Sequence, residues 1–317
     1  MKAIRIHEAG GPEVLKLEEL PRPAPKAGEV LVKVHAAGVN PVDWKVRQNA
    51  GKGFGPPLPQ IPGFDIAGVV AEVGADVKGF TAGDKVFGYL SLQRGGAYAE
   101  YAIALEGELA LMPANVSFSE AAAVPLAALT AWQALVDTAK LSEGQAVLVH
   151  AAAGGVGHFA VQIAKGLGAH VLATASAKNH EFLKGLGADE VIDYTAERFE
   201  DKAQGVDVVL DAVGGDTQAR SLGALAPGGI LVSIVGAPPK AELERLGVRG
   251  VGILVRPDGE QLAEIAKWIE SGTLRAEVGA VFPLAEAAKA HELSQGGHAR
   301  GKIVLQIVPD EPTKAAR

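Results

Sequence analysis

The sequence predicts an α/β chain of two domains, a β-rich barrel-like one followed by a doubly wound parallel sheet. Three observations lead there. Residues 1–120 carry short alternating apolar runs broken by Gly and Pro, the pattern of strands joined by turns. From about residue 145, near-continuous apolar runs alternate with stretches of helical spacing, which implies parallel strands covered on both faces. A chain of 317 residues suits two cores better than one.

Taken in order, residues 2–7, 15–19 and 29–37 read as strands, and VLVKVHA within the third alternates cleanly. Pro21, Pro23 and Pro25 mark a stiff connection. Residues 63–73, 84–87 and 97–104 continue the β pattern. At Ser119 the composition turns Ala-rich and helical, with Ser119 expected as the cap and Pro125 as an interruption. Strands then follow at 146–150, 169–175, 190–193, 206–211, 229–235 and 248–255, with helices expected from Val156, over 179–186 and over 259–270. Six strands match a full doubly wound dinucleotide fold. The tail ends in GKIVLQIV, a further strand, and the polar residues 309–317 are expected to fray.

Residues 145–168, QAVLVHAAAGGVGHFAVQIAKGLG, organise the second half. An apolar strand runs into a turn of small residues. Phe159, Ile163 and Leu167 then recur at helical spacing. That context is what a dinucleotide fingerprint requires. Ala152, Gly154 and Gly157 fall at its three glycine positions, with Gly155 and Val156 between the last two. Gly154 lets backbone approach a pyrophosphate, and Gly157 lets the helix pack closely on the strand. The helix N-terminus offers amides and a positive dipole end to the phosphates. At the end of the next strand, where NAD-preferring folds place a carboxylate, stand Thr174, Ala175, Ser176, Ala177 and Lys178. A hydroxyl and an ammonium there favour the extra phosphate of NADP(H).

The formal net charge of −7 argues against a partner bound through nucleic-acid phosphates. No apolar run is long enough to span a bilayer, and the N-terminus lacks a secretory pattern, so no membrane role and a cytoplasmic location are expected. Zero cysteines exclude disulfides, thiol nucleophiles and thiolate metal sites. The eight histidines show no H-x-x-x-H or H-E-x-x-H pairing.

Gly144-Gln145, Leu148, Ala152 to Gly155, Gly157, Gln162 and Lys165 together resemble the signature of the medium-chain dehydrogenase/reductase superfamily, in its zinc-free quinone oxidoreductase (zeta-crystallin-like) branch. The segments GEVLVKVHAAGVNPVDWK, IPGFDIAGVVAEVG and GDKVFG resemble the GroES-like catalytic domain of that family. The resemblance implies a GroES-like domain over 1–120, completed by the returning residues 272–317, and a Rossmann NADP-binding domain over 121–271. It places Tyr194 beside the cofactor's extra phosphate. It places Asn40, Thr130, Val232, Ser233, Ile253 and Val255 along the nicotinamide or its approach, and Arg300 and Lys302 near the cofactor's far side. It also implies a homodimer joined through the apolar edge strand VRGVGILV at 248–255.

Zinc alcohol dehydrogenases are the chemical alternative within the superfamily. Compared with their Cys, His, Cys ligand set, Asn40 stands at the first ligand position and Phe64 at the histidine, and no cysteine exists to replace the others. No metal is therefore expected. Hydride addition to a quinone, or to the activated C=C of an enone or enal, needs no Lewis acid, because a hydrogen-bond donor can hold the developing oxyanion and water can supply the proton. Asn40, Thr130 and Tyr98 are the donor candidates, with Tyr89 and Trp44 as cleft walls, Trp44 more readily as core. The expected activity is NADPH-dependent reduction of small hydrophobic quinones or enones. The rivals are an enoyl-thioester reductase and a cofactor-binding, crystallin-like protein without turnover. A tyrosine proton donor of the enoyl reductase kind is missing from NPVDWKVRQNAGKG.

Overall fold

The computed structural model describes residues 1–53 and 55–309, so most of the segment expected to fray lies outside the described residues. Two compact units emerge, Met1–Leu129 with Arg256–Arg317, and Thr130–Val255.

The first unit opens on an antiparallel pair, β1 (Lys2–Arg5) and β2 (Lys16–Glu19). The long strand β3 (Glu29–Val39) follows, then helix α1 (Pro41–Gln48) and strands β4 (Asp65–Val73), β5 (Lys85–Tyr89), β6 (Tyr101–Leu105) and β7 (Leu109–Leu111). Val30, Val32, Val34, Ile66, Val70 and Val86 face inward together in its core. Helix α2 (Phe118–Ala122) is capped by Ser117, whose hydroxyl accepts from the Glu120 amide at 3.2 Å. Ser119, expected as the cap, is a buried helical residue instead. The reciprocal bond from the Ser117 amide to Glu120 Oε2 makes a capping box, and its S-x-x-E spacing selects Ser117. Helix α3 (Pro125–Trp132) starts at Pro125, the expected interruption, with the ring at a first-turn position that needs no amide.

The second unit alternates β8 (Ala146–Val149), α4 (Gly157–Gly166), β9 (His170–Ala175), α5 (His180–Lys184), β10 (Glu190–Asp193), β11 (Val206–Asp211), α6 (Gly215–Ser221), β12 (Leu225–Ser233), α7 (Lys240–Leu246) and β13 (Arg249–Gly252). Its six strands are parallel, in the order β10-β9-β8-β11-β12-β13. This is a doubly wound sheet whose order reverses between β8 and β11, where ligands of such sheets bind.

Four elements then return to the first unit. Helix α8 (Gly259–Glu270) is followed by β14 (Val278–Pro283), α9 (Ala287–Gln295) and β15 (Lys302–Gln306). β15 pairs antiparallel with β3, giving the sheet order β14-β15-β3-β4-β5-β7, with β6 also on β3. The division at 255/256 differs from the expected 271/272 because α8 packs on β7 of the first unit. Its buried stripe of Leu262, Ile265 and Ile269 reads as amphipathic in the sequence without saying which sheet it covers. Asn115 fixes the helix end by donating to the Ile269 carbonyl at 3.1 Å. Among the described residues, no helix is long and apolar enough to cross a membrane.

Candidate active site

In the second unit the sequence-predicted cofactor residues gather at the carboxyl ends of the parallel strands. The turn after β8 is held by the Ala152 amide, which donates to the Thr174 carbonyl at 3.1 Å, so the glycine turn sits against the end of β9. Ala151 has φ of +49°, the left-handed region, which turns the chain sharply into α4. A Cβ at Gly157 would meet the Ala151 carbonyl oxygen at 2.5 Å and Ala152 Cα at 2.6 Å, so only glycine lets α4 start this close to the strand. No side chain caps α4, and none of the described residues accepts from the amides of Gly155 and Val156. Gly154 is positioned by His158, a buried ring whose Nδ1–H donates to the Gly154 carbonyl at 2.9 Å.

The register of β9 with β10 pairs Ala175 with Asp193, so Ser176 and Tyr194 are next to each other, with Lys178 on the following turn. Lys178 is exposed and forms no ion pair with a described residue. Tyr194 is 56 % exposed, unusual for a ring whose only role is packing. The same register brings Asp193 near, but its carboxylate accepts from the Thr195 hydroxyl at 2.7 Å, the leading cause of its lowered pKa. These groups fit a dinucleotide with an additional phosphate: free amides at a helix N-terminus, then a hydroxyl, an ammonium and a phenol one strand away.

Across the switch, Val232 and Ser233 end β12, and the Ile253 amide donates to the Ser233 carbonyl at 2.9 Å, with Val255 two residues on. The Ser233 hydroxyl donates to Asp211 at 2.8 Å and accepts from Gln218 at 3.1 Å, so it ties strand ends together. Burial raises the Asp211 carboxyl, but bonds from the Gly214 and Val213 amides, Ser233 and Gln218 outweigh it and hold the pKa below the ordinary value. His150 joins three elements: Nε2–H donates to Ser221 at 2.8 Å and Nδ1 accepts from Thr174 at 3.0 Å. The tautomer follows from Ser221, whose only hydroxyl proton goes to the Thr217 carbonyl. Burial pulls the ring's pKa down to about 4, so it is neutral near pH 7. Thr130 is buried in α3.

In the first unit a buried polar cluster surrounds Asn40. The pairing of Ile303 with Val39 puts Lys302 opposite Asn40, and that of Asp65 with Gly38 puts Asp65 at the same end of β3. Asn40 begins α1, and its amide N–H donates to Asp43 Oδ2 at 2.8 Å. Its side-chain nitrogen donates to Asp65 Oδ2 at 2.7 Å, and its side-chain oxygen accepts from Lys302 Nζ. Lys302 also pairs with Asp65 at 3.6 Å. Asp65 accepts a further bond at 2.9 Å from the amide of Leu126, an N–H that the first turn of α3 cannot use within the helix.

A second chain of bonds meets this one at Asp43. Arg47, fully buried in α1, donates to His291 Nδ1 at 2.9 Å, to Gln295 at 3.0 Å and to the Gly10 carbonyl at 3.1 Å. A guanidinium only donates, so the neutral His291 carries its proton on Nε2 and donates to the Tyr98 hydroxyl at 3.2 Å. Tyr98 in turn donates to Asp43 Oδ2 at 2.7 Å. Burial pushes Asp43 up to about 7, and burial together with the Arg47 charge pulls His291 down to about 3. Gly63, at φ of +85°, leaves room for the ring, since a Cβ there would come within 2.2 Å of Tyr98.

Two expectations change here. Tyr98 is fully buried with its one proton committed to Asp43, so it supports α1 and is not a donor awaiting substrate. Lys302, expected at the cofactor's far side, is 3 % exposed and held between Asp65 and Asn40. Arg300, two residues earlier, is exposed. Tyr89 is fully buried, burial raising its pKa, while Trp44 is half-buried. Asp43, Asp65, Arg47 and His291 were not anticipated, because they come from three segments far apart in the chain. The one available signal was D-x-x-x-R at 43–47, which puts an acid and a base on one helix face.

The donor set does not fit a catalytic zinc. Phe64 is fully buried with no atom able to ligate, and an ammonium already lies against Asp65 and Asn40. Two family descriptions match the chain: an alcohol dehydrogenase GroES-like domain over residues 26–114, and a zinc-binding dehydrogenase domain over 186–305. An NADPH-dependent alkenal/one oxidoreductase of Arabidopsis thaliana, a chloroplastic protein, is 39 % identical over 98 % of this chain and 80 % of its own length. The chain belongs to the medium-chain dehydrogenase/reductase superfamily, in its quinone oxidoreductase branch. Among solved structures of this branch, the quinone oxidoreductase of Coxiella burnetii superposes with a TM-score of 0.87 at 39 % identity, over 97 % of this chain and 99 % of the other. The Escherichia coli quinone oxidoreductase, solved with NADPH, gives 0.88 at 32 % identity, over 97 % and 100 %. The zinc named in the second description has no counterpart among the side chains at Asn40 and Phe64.

Proposed function

We propose that the protein is a zinc-independent reductase that uses NADPH to add hydride to quinones or to the activated C=C of enones and enals. The carrying observation is the buried Asn40 amide, held by an ammonium and a carboxylate at the position where a zinc enzyme keeps a metal ligand. The names of the relatives support the same substrate class and cofactor.

NADPH, when bound, supplies the hydride. In this reading Ala152, Gly154, Gly155, Val156 and Gly157 cradle its pyrophosphate, and Ser176, Lys178 and Tyr194 take its extra phosphate. Val232, Ser233, Ile253, Val255 and Arg300 border the rest of the cofactor. Asn40, with Thr130 as the second candidate, donates to the oxygen on which charge gathers when the β-carbon is attacked. Water delivers the proton to the α-carbon, because Tyr98 has no free proton to give. The protein works as a cytoplasmic homodimer joined through the edge strand β13.

The test is a stereodefined enone reduced with deuterium-labelled NADPH in ordinary water. Label at the β-carbon and a solvent hydrogen at the α-carbon are expected. Label at the carbonyl carbon, or brisk oxidation of ethanol with NADP, would mean carbonyl chemistry instead. Inclusion of quinones and enoyl thioesters ranks the substrate classes. Sedimentation at micromolar concentration tests the dimer.

A further inference from the structure

Two bonds fix the Asn40 side chain, and together they decide how its amide lies. An ammonium only donates and a carboxylate only accepts, so the side-chain oxygen faces Lys302 and the nitrogen faces Asp65. The amide nitrogen has two N–H bonds. Among the described residues Asp65 accepts one, and the second has no acceptor, on a side chain only 2 % exposed. A buried donor left open in this way is costly unless something else fills it.

We infer that Lys302 is a positioning residue acting through Asn40: its ammonium polarises the amide, and the open N–H receives the substrate oxygen. This rests on the reading of Asn40 as the donor and deepens it. Positive charge against the amide oxygen draws electron density from nitrogen, which strengthens the remaining N–H as a donor. Hydrogen bonds in series polarise one another, and burial leaves the effect little screened. Asp65 holds the ammonium in place and takes the N–H that would otherwise compete.

In the reaction, the hydride's electron pair forms the new C–H bond at the β-carbon, the C=C pair becomes the new C=C of the enolate, and the carbonyl pair moves onto oxygen. A water proton then adds at the α-carbon as the carbonyl reforms. Asn40 gives up no proton at either stage, and Lys302 never touches the substrate. The substrates that gain most are those whose own substituents stabilise the enolate least, such as simple alkyl enones and enals.

The experiment uses the full chain with NADPH and a series of para-substituted aryl vinyl ketones. Lys302→Met alone would leave the buried Asp65 carboxylate with neither a counter-charge nor a donor from that position, so it is paired with Asp65→Asn, and Lys302→Gln serves as a second variant that keeps a donor without the charge. Thermal unfolding checks that each folds. The paired variant should lose about tenfold or more in kcat, with KM for NADPH and enone changed less than about twofold. Its rates should depend more steeply on electron-withdrawing substituents than those of the unaltered enzyme, and Lys302→Gln should fall between. In an Asn40→Ala background the same pair should change kcat by less than about twofold. A paired variant with full kcat, or one that loses as much without Asn40 as with it, overturns the role of Lys302 and leaves the donor reading standing. If the paired variant does not fold, Lys302→Gln with full kcat and an unchanged substituent dependence overturns it equally. If Asn40→Ala alone keeps full kcat, or the unaltered enzyme reduces none of the series, the donor reading and this inference fall together.

Discussion

The two units hold their working groups in opposite ways. In the second unit the candidate cofactor groups are mostly backbone: free amides at the start of α4 and strand ends set by register, in a turn where Gly157 admits no side chain. In the first unit they are side chains, a chain of donors and acceptors from Arg47 through His291, Tyr98 and Asp43 to Asn40, joined there by Asp65 and Lys302. Backbone sites are specified by where glycine is allowed, so they are short and contiguous. Side-chain sites are specified by complementary charge, so their members come from residues far apart in the chain. The difference teaches that perturbing the second unit should change what is bound, and perturbing the first should change how fast it reacts.

The largest test of that division is Asn40→Ala. It should lower kcat for enone reduction by on the order of 100-fold, as expected for loss of one oxyanion donor, with NADPH affinity nearly intact. Steady-state kinetics with fluorescence titration of NADPH would read both, and a loss confined to NADPH binding would break the comparison. Gly157→Ala should act on the other side, destabilising the second unit by roughly 1–3 kcal/mol as its Cβ meets backbone that cannot move aside, and weakening NADPH and NADH alike. Denaturant unfolding with and without cofactor checks it. Lys178→Ala should weaken NADPH about tenfold or more through loss of one charge-assisted contact, and leave NADH unchanged. Equal losses for both cofactors would remove Lys178 from the phosphate.

The smallest effect is a pH dependence that sharpens the comparison. The His150 pKa is near 6.5 in an unfolded chain and about 4 in the fold, so on acidification the unfolded state takes the proton first. Its contribution to stability is complete above pH 6.5 and is lost between there and pH 4. His291, at about 3, behaves alike, whereas Asp43, at about 7, contributes in the opposite sense, its stabilisation fading as pH rises through 7. Comparison with His150→Gln isolates one group. Between pH 7.5 and 5.5 the unaltered protein should lose roughly 1 kcal/mol more than the variant.

The asymmetry also explains what could be read in the sequence. Strand, small-residue turn and helix at 146–166 are local, and the structure places them within a residue or so of expectation. The strands 190–193 and 206–211 and the helix 259–270 have the expected limits, because each is bounded by turn residues and carries its own periodicity. The assignment of α8 to the wrong sheet came from the same locality, since an apolar stripe does not name its partner. Helix α1 was missed because PVDWKVRQ carries its polar residues on the buried side: Asp43 and Arg47 lie in the interior. Lys302 and Asp65 belong to opposite ends of the chain and meet only through the pairing of β15 and β4 on either side of β3. No local pattern carries that.

The Asp65–Lys302 pair has a consequence for descent as well as for chemistry. With both members in the interior, loss of either alone strands a charge, while loss of both together strands none. A library of single substitutions should therefore find the two positions among the least tolerant in the first unit. A library that varies them jointly should recover folded chains carrying neutral pairs. Lineages would keep the ion pair or exchange it in one compound step, and the intermediates between those two states would be the rare ones.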